Sequence, residues 1–283
     1  MTCRSNQRDW YNTPTRCCIG IAHLVVLIAA SPLPLFSQEP LRGWSTDPRT
    51  SAIELVAVQE SEKLTTFVLK NVSTKPITAF AVSYGNTTRG VDRFLTDASL
   101  QPGESDSVQV GTEELSPSKH ILELSAAVFE DGTSDGLDRE IQNITVHRLG
   151  RTLETERVKA ILDGAPGLGR DFEDLARLAK QVGSEPATVA EAIASLQDVR
   201  LPGVDVRTLD LGGQKASRFL AAVRGTRHFA IQEINQLERL PLSDSRMSQS
   251  PRDIYLSELR RIYGSLSAKS QRFLQTVRGG ALR

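Results

Sequence analysis

The sequence predicts an α+β protein, with an antiparallel β-sandwich in the first half and an α-helical region after it. Three observations predict this. Between residues 51 and 129, short runs alternate apolar and polar residues and are separated by Gly, Pro and Asn turns, as half-buried strands require. Beyond residue 137, apolar residues recur every three to five positions, as a helix face requires. The 283 residues are 39% hydrophobic and 24% charged, enough for packed cores in two modest domains.

The first 37 residues stand apart. "MTCRSNQRDWYNTPTR" carries three arginines and one aspartate, "CCIGIAHLVVLIAA" runs apolar over residues 17 to 30, and "SPLPLFSQEP" follows with prolines and small residues. That is the order of a secretory signal, with cleavage expected after Ser37. The rival reading is an uncleaved membrane anchor. A span needs about 20 apolar residues, and this run reaches that length only when the prolines are counted. The expected location is therefore exported, periplasmic or extracellular. The alternative is anchoring by an N-terminal transmembrane segment, which would also supply membrane contact. Cys3, Cys17 and Cys18 all lie in or before the apolar run. A mature chain from Gln38 would have no disulfide, no thiolate metal site and no cysteine nucleophile.

The strands follow in order. "SAIELVAV" alternates Ile53, Leu55 and Ala57 against Glu54, Val56 and Val58. "LTTFVLKN" covers Leu64 to Asn71, "NVSTKP" turns the chain, and "ITAFAVSY" begins at Ile77. "YGNTTRG" reads as a polar turn before "VDRFLT". In "QPGESDS", Pro102 and Gly103 suit the centre of a type II turn, glycine supplying the positive φ. "HILELSAAVF" is expected to point Leu122, Leu124, Ala126 and Val128 inward, with Glu123 and Ser125 outward.

"KNVSTKPITAFAVSY", "LQPGESDSV" and "ELSAAVFEDGTSDG" together resemble the immunoglobulin-like sandwiches of exported, uncharacterised bacterial proteins. The resemblance covers residues 50 to 150. It rests on turn chemistry, so it implies an immunoglobulin-like fold and transfers no activity. The cysteine pair and core tryptophan of antibody domains are absent; Trp44 precedes the first strand.

The helical pattern starts at Leu137 and continues through Ile141, Ile144, Leu149, Leu153, Val158, Ile161 and Leu162. β-branched "NITV" and Gly150 weaken it. "DGAPGLGRD", residues 163 to 171, is read as the domain boundary. The organisation is then a leader at 1–37, a sandwich with a trailing helix at 50–162, and a helical domain at 170–283. In that domain, Phe172, Leu175, Ala176, Ala179 and Val182 line one helix, and Gly183 ends it. Ser184 caps the next, with Pro186 in its first turn and Val189, Ile193 and Leu196 on its face. A longer helix carries Ala216, Leu220, Val223, Ala230, Ile234 and Leu237. After "LPLSDSRMSQSP" the last carries Tyr255, Leu259, Ile262, Leu266, Phe273 and Val277.

Chemistry is harder to find. The 34 basic and 34 acidic residues cancel, which argues against a nucleic-acid partner. There is no G-x-S-x-G, H-E-x-x-H, Walker loop or C-x-x-C, and no cofactor is expected. His120, His147 and His228 have no second histidine at i+3 or i+4, so each is read as a surface or helix-face residue. Asn71, Asn86 and Asn143 begin N-x-S/T sequons. Asn71 and Asn86 are expected in β-turns and Asn143 on a helix. From Arg252 onward there are seven basic residues and two acidic ones, read as a solvated helix face.

"DGTSDG", residues 131 to 136, offers one metal reading. Asp131, Thr133 and Asp135 occupy positions 1, 3 and 5 of a calcium loop, with Gly136 at position 6. Arg139 at position 9 and Gln142 at position 12 break the pattern, because the last position needs a bidentate carboxylate. The favoured reading is a turn, with Ser134 or Asp135 capping the following helix.

Two functions follow as expectations. The first is a non-enzymatic binding or structural module of the envelope or periplasm, its partner another envelope protein or polymer. The alternative is an envelope hydrolase with dispersed Asp, Glu or Ser residues, since paired glycosidase carboxylates need not be close in sequence.

Overall fold

Strands come first and helices after residue 138, in a computed structural model that describes residues 43–85, 87–94, 99–112, 115, 120–165, 172–240 and 250–277. The leader with its three cysteines, Asn86 and most of both linkers lie outside the described residues. Among the described residues, eight strands form two sheets. One has the order β1 (Ser45–Pro48), β7 (Ile121–Phe129), β4 (Ile77–Tyr84), β5 (Thr87–Asp92), with β8 (Ser134–Gly136) also on β7. The other has the order β2 (Ile53–Glu60), β3 (Leu64–Asn71), β6 (Ser105–Gly111). The polar turn expected at 84–90 is shorter than that, and "TTRGVD" is itself strand β5.

The two sheets enclose one core. It contains Leu55, Val58, Phe67, Leu69, Val108 and Val110 from one sheet and Phe80, Val82, Tyr84, Leu122 and Leu124 from the other. Trp44 enters it from just before β1. Its ring meets Phe67 edge-on at 4.8 Å, and its indole N–H donates to Glu60 at 2.8 Å. The sheets are not purely antiparallel. β1 runs parallel to β7 at Ile121–Leu124, and β8 takes the same edge of β7 at Ala126–Val128.

Three β-bulges change which side chains face the core. Each inserts one residue and so reverses the period-2 alternation beyond it. Val56 is the extra residue in β2, and this puts Val58 in the core where alternation had pointed it outward. Thr78 is the extra residue in β4 and Ser125 in β7. Past Ser125, Ala127 and Phe129 face the core, while Ala126 and Val128 turn to the outer face, opposite to the sequence expectation. That outer face, with Ala79 and Ala81, is where the first helix packs through Ile144 and Ile141. Small side chains there allow a close approach.

The helices are α1 (Asp138–Gly164), α2 (Phe172–Val182), α3 (Val189–Leu196), α4 (Gln214–Arg239) and α5 (Pro251–Val277). α1 is one unbroken helix through "NITV" and Gly150, packed by the first sheet and by all four other helices. Gly150 is what lets α4 cross it. A Cβ there would meet the Phe219 carbonyl oxygen at 2.9 Å and the Ala222 Cβ at 3.0 Å. α2 buries Leu175, Leu178 and Val182, with Ala176 exposed, and Gly183 closes it at φ +73°. α3 begins later than Ser184 suggested. Thr188 accepts from the Glu191 amide, and Glu191 reaches back to the Ala187 amide, a capping box one residue longer in reach than usual. α4 buries Leu220, Val223, Ala230, Ile234 and Leu237 as expected. α5 differs. Its buried side runs through Arg252, Leu256, Leu259, Tyr263, Ser267, Ser270 and Phe273, leaving Ile262 and Leu266 half-buried beside it. Among the described residues, no helix is long and apolar enough to cross a membrane.

Candidate functional site: buried charges around helix α1

The 131–136 segment is a joint. Gly132, at φ +83°, turns the chain, and Phe129 and Thr133 pair across the turn. Asp131 accepts from Lys75 at 2.7 Å and from its own Thr133 at 2.6 Å. These bonds pull its pKa down to about 2. Asp135 points elsewhere. It accepts from the Thr50 hydroxyl and the Ser51 amide, each at 2.7 Å, and so ties β8 to the chain leaving β1. Burial opposes its ionisation, but these bonds hold its pKa below the ordinary value. The three oxygens of the calcium reading thus serve two separate clusters of protein donors. Ser134 and Asp135 lie in β8, so neither caps α1; the residue before α1 is Leu137, which has no capping side chain. Gly136 has its own cause. Its φ is +119°, and a Cβ there would lie 2.4 Å from the Ser125 carbonyl oxygen, at the β7 bulge.

The first buried charge cluster joins β5 to α1. Arg148, 3% exposed, donates to Asp92 Oδ1 from Nη2 at 3.0 Å and from Nε at 3.2 Å. The same Nη2 donates to the Thr78 hydroxyl, which the β4 bulge presents. Asp92 Oδ1 also accepts from the Phe94 amide at 3.0 Å. The guanidinium lies over the Phe94 and Phe273 rings at 4.9 and 5.7 Å, so α5 closes the cluster from outside. His147 Nδ1 stands 3.8 Å from Asp92 Oδ2. Burial alone would raise the Asp92 pKa. Arg148, with His147 and Arg151, outweighs it and holds the carboxyl far below the usual carboxylate range. For His147, burial dominates and lowers the pKa; Asp92 opposes this, while Arg151 and Arg218 add to it.

The second cluster joins α1 to α4. The Glu154 side chain is fully buried. Arg227 meets it through two bonds, Nε to Oε1 at 2.8 Å and Nη2 to Oε2 at 2.9 Å. Arg157 adds Nη2 to Oε1 at 2.7 Å. Both arginines then reach the end of α2 and its loop. Arg157 donates to the Val182 carbonyl at 2.7 Å and Arg227 to the Ser184 carbonyl at 3.0 Å. Arg224 continues the series on the Pro186 and Ala187 carbonyls, each at 2.6 Å. Arg157 thus satisfies a carbonyl that the end of α2 leaves without a partner, where the helix dipole favours a cation, and Arg227 and Arg224 hold carbonyls of the loop that follows. α5 does the same for α1, whose last turn has no basic residue. Arg260 donates to the Leu162 carbonyl at 2.8 Å and to the Ala165 carbonyl at 2.5 Å. Of the basic C-terminal run, Arg252 and Arg260 are therefore structural, not a solvated face.

The remaining sequence candidates are dispersed. His120 packs its ring against Trp44 at 5.0 Å, and exposed His228 pairs with Glu185 at 2.7 Å. His147 is the exception to the surface reading, being buried on α1. Asn71 is fully buried at the end of β3. It donates to the Lys75 and Leu100 carbonyls and accepts from Ser73. Asn143 is buried beside Glu140. Neither sequon asparagine is open to a glycan in the folded chain. Ser83 and Ser125 share a buried bond at 2.8 Å across β4 and β7. Among the described residues, no three His, Cys, Asp or Glu side chains gather where they could hold a metal ion. Comparison with protein families, with characterised proteins and with solved structures finds no match to the chain.

Proposed function

We propose that this chain is an exported, non-enzymatic binding or structural module of the cell envelope, with an immunoglobulin-like sandwich joined to a helical region. The observation that carries this reading is how the deepest carboxylates are used. Asp92 and Glu154 each face arginine, and these ion pairs join β5 to α1 and α1 to α4. Glycoside hydrolysis needs one carboxyl kept protonated by its surroundings, which is the reverse of the Asp92 environment. A rigid joint between sheets and helices suits a module that presents a fixed surface. The export part of the reading rests on the leader at residues 1–37.

The test is retention. The immobilised protein is exposed to the envelope fraction of its own cell, beside an inert protein on the same support. A specifically retained protein or polymer supports the reading, and nothing above the control overturns it. Release of soluble fragments from envelope polymer, lost on mutation of one Asp, Glu or Ser, would replace it with the hydrolase. For the leader, the exported form should begin at Gln38. A chain that keeps Thr2 would mean anchoring or no export.

A further inference from the structure

We propose that the free edge of β6 is the surface through which this chain pairs with a second copy of itself, and that Asp106 holds that pairing in check. The second sheet ends in β2 on one side and β6 on the other. β2 is interrupted by its bulge at Val56, which spoils an edge for further pairing. β6 is regular: each residue from Ser105 to Gly111 has its partner in β3 with no shift of register. It holds no proline and no lysine, and among the described residues no strand lies on its other side. The backbone bonds at its two ends fix which groups are left over. The Asn71 amide donates to the Glu104 carbonyl, and the Thr112 amide donates to the Lys63 carbonyl. Even-numbered residues of β6 therefore bond to β3, while Ser105, Ser107, Gln109 and Gly111 direct amide and carbonyl away from the sheet.

One of those outward amides is already occupied. Asp106 Oδ1 accepts from the Ser107 amide at 2.8 Å. Its other oxygen is held from the first sheet, by Arg93 Nη2 at 2.8 Å and Nε at 3.1 Å. Asp106 stands opposite the core residue Leu69, so it is a charge turned inward on an edge strand, a device that keeps sheets from adding strands. The occupant follows from symmetry and charge. Antiparallel pairing of β6 with its own copy about Val108 sets Ser107 opposite Gln109 and Ser105 opposite Gly111. Each such pair joins two outward-facing residues, so each can exchange both backbone bonds. Asp106 is the one charged residue of β6, and in this register it lies opposite Val110 and not its own copy, so no like charges meet. To pair, the Ser107 amide must leave Asp106 for the Gln109 carbonyl of the second copy. An edge of this length buries less than the roughly 1,000 Å² of a lasting interface, which makes the pair weak and dependent on concentration.

Analytical ultracentrifugation over a concentration series tests the proposal on the purified protein. Asp106→Ala frees the Ser107 amide. Two such amides change partner in each twofold pair, and one hydrogen bond shifts an equilibrium about two- to tenfold, so the variant should dimerise at least about tenfold more readily than wild type. Adding Gln109→Pro should abolish the gain. The Gln109 amide faces outward, so proline there takes no bond from the monomer and blocks only the added strand. Hydrogen exchange of the dimer should slow at Ser105, Ser107, Gln109 and Gly111, and not along β2. A variant as monomeric as wild type, a wild type that pairs as tightly as the variant, dimers that survive Gln109→Pro, or assemblies larger than two would each overturn the proposal. Should Asp106→Ala fail to fold, Arg93→Gln releases the carboxylate without altering β6 and is judged by the same outcomes.

Discussion

Removing the Glu154 carboxylate should be among the most damaging single changes to the helical region. In Glu154→Ala, Arg227 and Arg157 lose the anion between them, and their side chains are only 5% and 13% exposed. Neither can swing into solvent without releasing the Ser184 or Val182 carbonyl. Breaking a buried ion pair from one side costs about 3–5 kcal/mol, because the remaining charge stays desolvated. At about 2–4 °C per kcal/mol for a chain of this size, the melting temperature should fall by roughly 10 °C. Glu154→Gln keeps the shape and should lose a large part of the same stability. The cycle with Arg227→Met separates pair from parts. If the ion pair is the cause, the double variant should lose less than the sum of the singles by about 2 kcal/mol. Urea denaturation measures each corner. A loss below about 1 kcal/mol for Glu154→Ala, or strict additivity, would refute the view that this carboxylate organises α1, α4 and the 181–187 loop.

The other predictions are quicker to state. Gly136→Ala should cost about 2–4 kcal/mol, combining a positive-φ strain with backbone overlap at the β7 bulge, and be read by the same denaturation. Gly150→Ala gains about 1 kcal/mol of helix propensity but presses on the Phe219 carbonyl. It should be destabilising by about 1 kcal/mol net in a thermal melt, and a stabilised variant would show that α4 can move away freely. Millimolar calcium should leave the melting temperature unchanged, since Asp131 and Asp135 are engaged by different donors; a rise that Asp131→Asn removes would restore the calcium loop. Asp92→Asn should flatten the acid limb of the stability profile below about pH 4 while lowering stability near neutrality, as urea midpoints across pH would show.

Strand positions were legible because the alternation is local. β3 and β4 carry the boundaries that the pattern suggests, and the Pro102–Gly103 turn forms, with Gly103 at φ +83° and Glu104 bonded back to Gln101. Facing was less legible. The bulges at Val56, Thr78 and Ser125 each change which residues point inward, and no residue in "ELSAAV" announces the extra one. α4 was read well because it has one buried side. The extent of α1 was legible too, but its buried charges were not, because it is enclosed on several sides and buries Glu140, Arg148 and Glu154 among its apolar residues. The charge clusters had no local signature, since 56 residues separate Asp92 from Arg148 and 73 separate Glu154 from Arg227. The available signal was the placement of charged residues inside an apolar helical stretch. A charge on a helix is usually at the surface, so that placement does not by itself mark a buried pair.

The placement of Trp44 and β1 has a consequence for the order of assembly. Ser45 bonds to the His120 carbonyl, 75 residues later, and β1 rests on the first half of β7. The indole that completes the core is thus made before any strand it touches. It cannot be seated until β7 has emerged from the ribosome. During that interval the core stands open at one edge, and the β4 backbone that β7 will later cover can pair with other strands. The Asp135 bonds to Thr50 and Ser51 come later still, after β8 has folded back. The first core residue among the described residues is therefore among the last to be locked in place, so substitutions at Trp44 should raise aggregation during synthesis more than they change the rate of unfolding.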